Sequence, residues 1–298
     1  MLMLSILRKN TDRLLDRLND CDLCPRQCHV NRIMGEVGIC GQTSTLRISS
    51  ANLHFGEEPP ISGHSGSGTI FMTGCNLKCV YCQNYPISQL QNGVEISPLT
   101  LVDKMLWLQK QGAHNINFVT PTHFSAQIAE AIVSARDKGL TIPIVYNTSG
   151  YDRPDVLQML EGLIEIYMPD MRYGEETAAE CYSAAPDYPQ VNRQAIAEMH
   201  RQVGVLRLDS NGIAVRGVLI RHLILPNNLS GSERIFKYIA ENVSIDTYIS
   251  LMSQYFPAYR AHEYKEISRR ITKKEYVIAK RLMEKYNLYN GWFQNEIL

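Results

Sequence analysis

Residues 69–84 read TIFMTGCNLKCVYCQN: an apolar run, a turn glycine at Gly74, then Cys75, Cys79 and Cys82 in a CxxxCxxC spacing. A brief β-branched run stopped by glycine reads as a buried strand, so the three thiols open the loop at its carboxyl end. Similar runs recur further along the chain at 115–120, 142–147, 164–170, 217–225 and 246–252. Between them lie stretches with helical spacing, at 98–111, 125–138, 154–161, about 189–203, 232–242 and 272–287. Local signals mark their ends: Ser97 before Pro98, Gly139 after Lys138, and a capping box of Thr272 with Glu275.

Strands alternating with helices make parallel βα units. Six of them predict an α/β fold, a partial (β/α)6 TIM-like barrel covering about three-quarters of an eight-stranded one and leaving a lateral gap. Barrel active sites form at the carboxyl ends of the strands, where this loop lies.

The predicted organisation is a helix at 4–18 and a four-cysteine module within 1–50, a Gly/Pro loop over 51–68, the barrel over 69–260 and a helical extension over 261–298. The 30 Lys+Arg balance 30 Asp+Glu, so no summed field draws in nucleic acid. The opening MLMLSIL meets Arg8, Lys9, Asp12 and Arg13 well short of the roughly 18 residues a span needs. No membrane segment or signal peptide is expected, and a cytoplasmic location is.

Eight cysteines fall into a set of four, a set of three, and Cys181, read as a small hydrophobe in a loop. Bunched thiols in a reducing compartment usually hold metal. Cys21, Cys24, Cys28 and Cys40, spaced Cx2Cx3Cx11C, suit a second iron–sulfur cluster or a zinc ion, with Arg26 and Arg32 beside them to offset the charge. At Cys75, Cys79 and Cys82, three thiolates on a four-iron cluster leave one iron free for a substrate or cofactor. A zinc knuckle completed by a distant fourth ligand is the plainer alternative.

The motif resembles the radical S-adenosylmethionine (radical SAM) superfamily. The likeness extends to EEPPISG, GSGTIF, NFVTPTH (117–123), YNTSGY (146–151), IYMPDMRY (166–173), RHLILPN (221–227) and LMSQYFP (251–257). Together these resemble the pyruvate formate-lyase activating enzyme-related (PflX-like) group over residues 21 to about 270. The resemblance implies a 4Fe-4S cluster on Cys75, Cys79 and Cys82, with S-adenosylmethionine on the open iron and cleaved reductively to a 5′-deoxyadenosyl radical. It places Tyr81 beside the adenine, with Asn84 following the cluster motif.

The rest of the implied cofactor site comes from strand ends. Asn147 and Thr148 match the start of an Asp-Thr-Asn-Gly turn, with Asn in place of Asp, and Asp170-Met171-Arg172 matches Asp-Leu-Lys. Thr120-Pro121-Thr122-His123 stands where many members carry Gly-Gly-Glu, so Thr120, Thr122 or a backbone carbonyl would receive the cofactor's amino group. His123 and Arg221 complete the set. Strand alternation sends only one of Arg221 and His222 inward, and Arg221 is the expected one. Each of these residues also has a plain structural reading as a cap, a turn former or half of an ion pair.

The implied activity is hydrogen abstraction from a glycyl residue of a partner protein, with electrons from a flavodoxin or ferredoxin. The sequence also admits modification of a peptide or small molecule, or a scaffold in which both cysteine sets are structural. On the first two readings GEEPPISGHSGSG (56–68) is expected to act as a flexible flap beside the cluster.

Overall fold

The computed structural model describes residues 2–293. Its strands are β1 (Leu46–His54), β2 (Ser67–Met72), β3 (Val94–Ile96), β4 (Ile116–Val119), β5 (Ile144–Thr148), β6 (Ile166–Pro169), β7 (Arg207–Leu208), β8 (Ala214–Leu223), β9 (Tyr248–Met252) and β10 (Gly291–Phe293). They form one sheet in the order β10-β9-β8-β6-β5-β4-β2-β1-β3, with β7 on the side of β8. From β2 to β10 every pairing along that order is parallel, whereas β1 runs antiparallel to β2 and β3. Among the described residues β3 and β10 do not pair, so the barrel stays open.

The helices are α1 (Leu2–Asp16), α2 (Pro59–Ser62), α3 (Tyr85–Ser88), α4 (Pro98–Lys110), α5 (Ser125–Asp137), α6 (Pro154–Met159), α7 (Glu176–Ser183), α8 (Tyr188–Val203), α9 (Ser232–Asn242) and α10 (Lys273–Lys285). The six expected βα units are present, with caps where the sequence put them. Ser97 Oγ accepts the Thr100 N–H, and Thr272 and Glu275 form the reciprocal box. No described helix is long and apolar enough to cross a membrane.

β5 and β6 are buried at every position, because helices cover one face and side chains fill the other. The inner face is read from alternation: Val145 lies below Asn147, Met168 below Asp170 and Leu219 below Arg221. The lower residues of these pairs pack with Ile61, Ile166, Leu206 and Ala214 into a separate apolar cluster. The register sets the polar ends level, pairing Val119 with Asn147, Thr148 with Pro169 and Asp170 with Arg221.

Four expectations need correction. The 51–68 segment is not a loop throughout, since β1 continues to His54, and the expected flap at 56–68 contains α2 with Pro60, Ile61 and Ser62 buried. Ile61, wholly buried in the inner cluster, acts as a plug, and two prolines at the helix start fix the entry. The segment after 261 is not helical only, since β10 adds a seventh parallel strand beside β9; the expected extension over 294–298 lies outside the described residues. Helix α7, unmarked by strong apolar spacing, carries Cys181, which is exposed and helical rather than in a loop. Finally, Arg26 does not sit over the N-terminal thiols, as its contacts below show.

Candidate active site

The cysteine loop begins at Gly74, with φ +84°, where an added Cβ would come within 2.8 Å of the Cys40 carbonyl and of Gln42. Only glycine allows that approach. Cys75 and Cys79 are buried and Cys82 half-buried, and all three are free thiols. Each sulfur has a polar neighbour: the Leu77 N–H donates to Cys75 Sγ (3.4 Å), Ser183 Oγ–H to Cys79 Sγ (3.0 Å), and Ser88 Oγ lies 3.1 Å from Cys82 Sγ. Arg172 Nη1 adds a charged donor 3.6 Å from Cys79 Sγ. Burial, and then the charge of neighbouring Cys79, pushes the bare Cys75 thiol up to about 12. A cationic group bound there reverses that balance, because thiolates are the ligating form.

The three sulfurs line one cavity with the ends of four strands: Thr120 after β4, Asn147, Thr148 and Ser149 at β5, Asp170 and Arg172 after β6, and Arg221 of β8. Asn84 lines it too. A second cavity shares Cys82, Asn84, Asp170, Arg172 and Arg221 and runs on past Tyr81 and Gln83 to Leu223, Met252 and Gln254. The two share these residues and form one trough.

Asp170 is its electrostatic centre. Arg172 Nη2 donates to one carboxylate oxygen (2.5 Å) and Arg221 Nε to the other (2.9 Å), while Arg221 Nη2 donates to Asn147 Oδ1 (2.8 Å). Arg221 Nη1 also lies 3.8 Å from Glu57, whose buried side chain is pushed up to about 7 by desolvation that Arg221 only partly offsets. His222 faces the other way, as alternation requires, with its ring nitrogens on the Met171 carbonyl (2.7 Å) and Ser232 Oγ (2.9 Å). Thr120 holds φ +60°, uncommon for a β-branched residue, with its N–H donating to the Asn147 carbonyl (2.9 Å).

Thr122 and His123 lie outside this lining, and that corrects their expected place. Thr122 Oγ1 donates to Asp152 (2.8 Å), as does Thr148 Oγ1 (2.6 Å), so Asp152 anchors the β5 turn from below. Desolvation raises the pKa of this fully buried carboxyl. Nothing in YNTSGYD marked Asp152 except its place in a turn. Glu57 and Ser183 were missed as well, because each comes from a segment distant in sequence that only folding brings to the site, and Ser88, six residues after Cys82, was missed too.

His123 Nε2 bonds the Thr73 carbonyl (2.8 Å), and the residue lines the cavity of the other cysteine set. Burial, and secondarily Arg32, lowers its pKa to about 3, so it is neutral. Cys21, Cys24, Cys28 and Cys40 line a small cavity with Leu23, Val30, Arg32, Gly38 and His123. Left-handed Gln27 and His29 flank Cys28 and turn it inward. Gly38 lies against it, where a Cβ would stand 2.7 Å from the sulfur. Arg32 stays beside these thiols, 3.9 Å from Cys21 Sγ. Arg26 instead reaches the Asn76 carbonyl (2.8 Å), between Cys75 and Cys79.

Among the described residues no three His, Cys, Asp or Glu side chains are grouped so as to hold a single metal ion. An iron–sulfur cluster does not require that convergence, since its thiolates bind different irons. Three buried free thiols with N–H and O–H donors on their sulfurs, facing a polar trough, fit a cluster with one iron left open.

The model of the radical SAM superfamily matches residues 69–174, from β2 to just beyond Arg172. Over 279 residues the chain is 32% identical to the uncharacterized protein MJ0674 of Methanocaldococcus jannaschii, covering 90% of this chain and 75% of that one. MJ0808 of the same organism is 24% identical over 166 residues, half of this chain and 48% of its own. Two solved structures share the fold. HydG, a maturase of the FeFe-hydrogenase, has a TM-score of 0.52 at 14% identity, with 75% of this chain and 50% of HydG covered. A radical SAM methyltransferase from Sphaerobacter thermophilus has a TM-score of 0.51 at 12% identity, with 76% of this chain and 65% of the methyltransferase covered. The chain thus spans half to two-thirds of those two proteins, and at such identities the likeness concerns the fold alone. The thiol triplet at the mouth of the open barrel, the matching family model and the long alignment to MJ0674 agree: this chain belongs to the radical SAM superfamily.

Proposed function

We propose that this radical SAM enzyme takes a hydrogen atom from a glycyl residue of a partner protein, as an activating enzyme of the pyruvate formate-lyase type. One observation carries the reading: three thiols, not four, line a trough with charged strand-end residues, and the trough runs on toward β9 on the open side of the barrel. Superfamily membership implies a 4Fe-4S cluster and S-adenosylmethionine, whose reductive cleavage supplies the hydrogen-abstracting radical.

The chain's own residues bind and orient. Arg172 and Arg221, fixed by Asp170, present guanidinium N–H groups suited to the cofactor carboxylate. Thr120 offers a hydroxyl acceptor for its amino group, and Tyr81 an aromatic wall in the adjoining cavity. Asn147, with its oxygen engaged by Arg221, lacks the carboxylate that would favour a cation there. Glycine suits as the target because a backbone without a side chain approaches most closely. A one-electron carrier such as flavodoxin or ferredoxin is the proposed reductant, the cytoplasm the proposed location, and the four N-terminal thiols a separate metal centre.

The test is anaerobic: reconstituted protein, S-adenosylmethionine and reductant are supplied with candidate glycyl radical proteins. A persistent organic doublet in electron paramagnetic resonance is expected. Repeated turnover on a peptide or small molecule with no protein radical would replace the reading with cofactor-dependent modification.

A further inference from the structure

We infer that Cys21, Cys24, Cys28 and Cys40 hold an iron–sulfur cluster whose ligand-bearing turns are fastened to the loop of Cys75. This deepens the assignment of those thiols to a metal centre and rests on it.

Two independent observations point to an occupant. The first is the cage itself: four free sulfurs, three of them buried, line one small cavity with apolar Leu23 and Val30. The second is His123. A carbonyl only accepts, so the bond to the Thr73 oxygen fixes the proton on Nε2 and leaves a bare lone pair on Nδ1. That Nδ1 is buried and has no hydrogen-bond partner among the described residues. A buried acceptor left unmade is costly, and the same histidine lines the cage.

The occupant's class follows from the donors. A zinc ion draws four sulfurs to about 2.3 Å from one point, whereas these side chains do not converge on a single ion. Cluster thiolates stand further apart and are tuned by hydrogen bonds to sulfur. Here the Ile39 N–H donates to Cys28 Sγ (3.4 Å), and the Arg32 guanidinium, 1% exposed, sits at Cys21.

The fastening is specific in where it lands. Arg26, between Cys24 and Cys28, donates to the Asn76 carbonyl; the Cys40 carbonyl packs on Gly74; His123 holds the Thr73 carbonyl, and Arg32 Nη1 donates to the His123 carbonyl (2.5 Å). All three contacts on the loop fall within two residues of Cys75.

The experiment counts metal after anaerobic reconstitution. The triple variant Cys75→Ala, Cys79→Ala, Cys82→Ala is expected to keep about half of the wild-type iron, with a reducible signal in electron paramagnetic resonance. The pair Cys24→Ala, Cys28→Ala is expected to lose the complementary half, which keeps the test open should the triple variant not fold. In the triple background, His123→Ala should shift the midpoint potential of the remaining cluster with its iron unchanged; an unmoved potential would remove His123 from the centre. Stoichiometric zinc would overturn the cluster while leaving a metal centre standing. A cage without metal would overturn both.

Discussion

The two cysteine sets are built from the same ligand and differ in what surrounds it. Cys75, Cys79 and Cys82 open on a trough lined by Asp170, Arg172, Arg221 and the strand-end amides and hydroxyls. Cys21, Cys24, Cys28 and Cys40 face a smaller cavity walled by Leu23 and Val30, with one cation, Arg32. Three thiols beside exchangeable polar groups suit a centre that must admit a ligand. Four thiols in an apolar cage suit a centre that stays closed. On the proposed reading, ligand count and wall polarity together would separate a reactive metal site from a resident one.

The sharpest way to break this contrast is Cys79→Ala, since Cys79 is the triad sulfur with both Ser183 and Arg172 on it. Cleavage of S-adenosylmethionine should fall by at least ~10³-fold, measured as 5′-deoxyadenosine, while the cage keeps its metal. Next is Asp170→Ala, which leaves Arg172 and Arg221 without their shared carboxylate. Removing one member of a buried ionic group costs about 3–5 kcal/mol, readable by denaturant unfolding.

Glu57→Gln sharpens the comparison from below the trough. With its pKa raised to about 7 from 4.5, native Glu57 holds its proton more tightly than the unfolded chain does. Its contribution is therefore full below about pH 4.5 and is lost as pH rises through 7. The variant should flatten stability over that window and gain on the order of 3 kcal/mol at higher pH. The smallest effect is expected at Gly38→Ala, where the new Cβ meets Cys28 at 2.7 Å. Overpacking of about 1–3 kcal/mol should loosen the cage and lower its metal content, leaving the trough iron in place.

Much of this was legible in the sequence, for identifiable reasons. Short β-branched apolar runs and cap residues are local, so the six βα units and the ends of α4 and α10 could be read directly. The polar residues ending β4, β5 and β6 were legible because a strand end in a parallel barrel has only one place to be, whereas alternation narrowed the inward residue of β8 only to Arg221 or His222. What failed was tertiary. Gly and Pro in 56–68 signal turns, yet Ile61 makes the segment a plug because the open barrel has an interior to fill. Thr122 and His123 sit within three residues of Thr120, but a 3-10 turn carries them to Asp152 and to the cysteine cage. The fastening of Arg26 to Asn76, 50 positions away, has no local signal at all.

The most direct test of the central claim is the anaerobic incubation of the reconstituted wild-type protein with S-adenosylmethionine and a one-electron reductant, followed by quantification of 5′-deoxyadenosine. The account predicts its reductant-dependent formation together with an altered paramagnetic signal of the reduced cluster when S-adenosylmethionine is added. Iron bound at Cys75, Cys79 and Cys82 with no response to S-adenosylmethionine and no 5′-deoxyadenosine would contradict it.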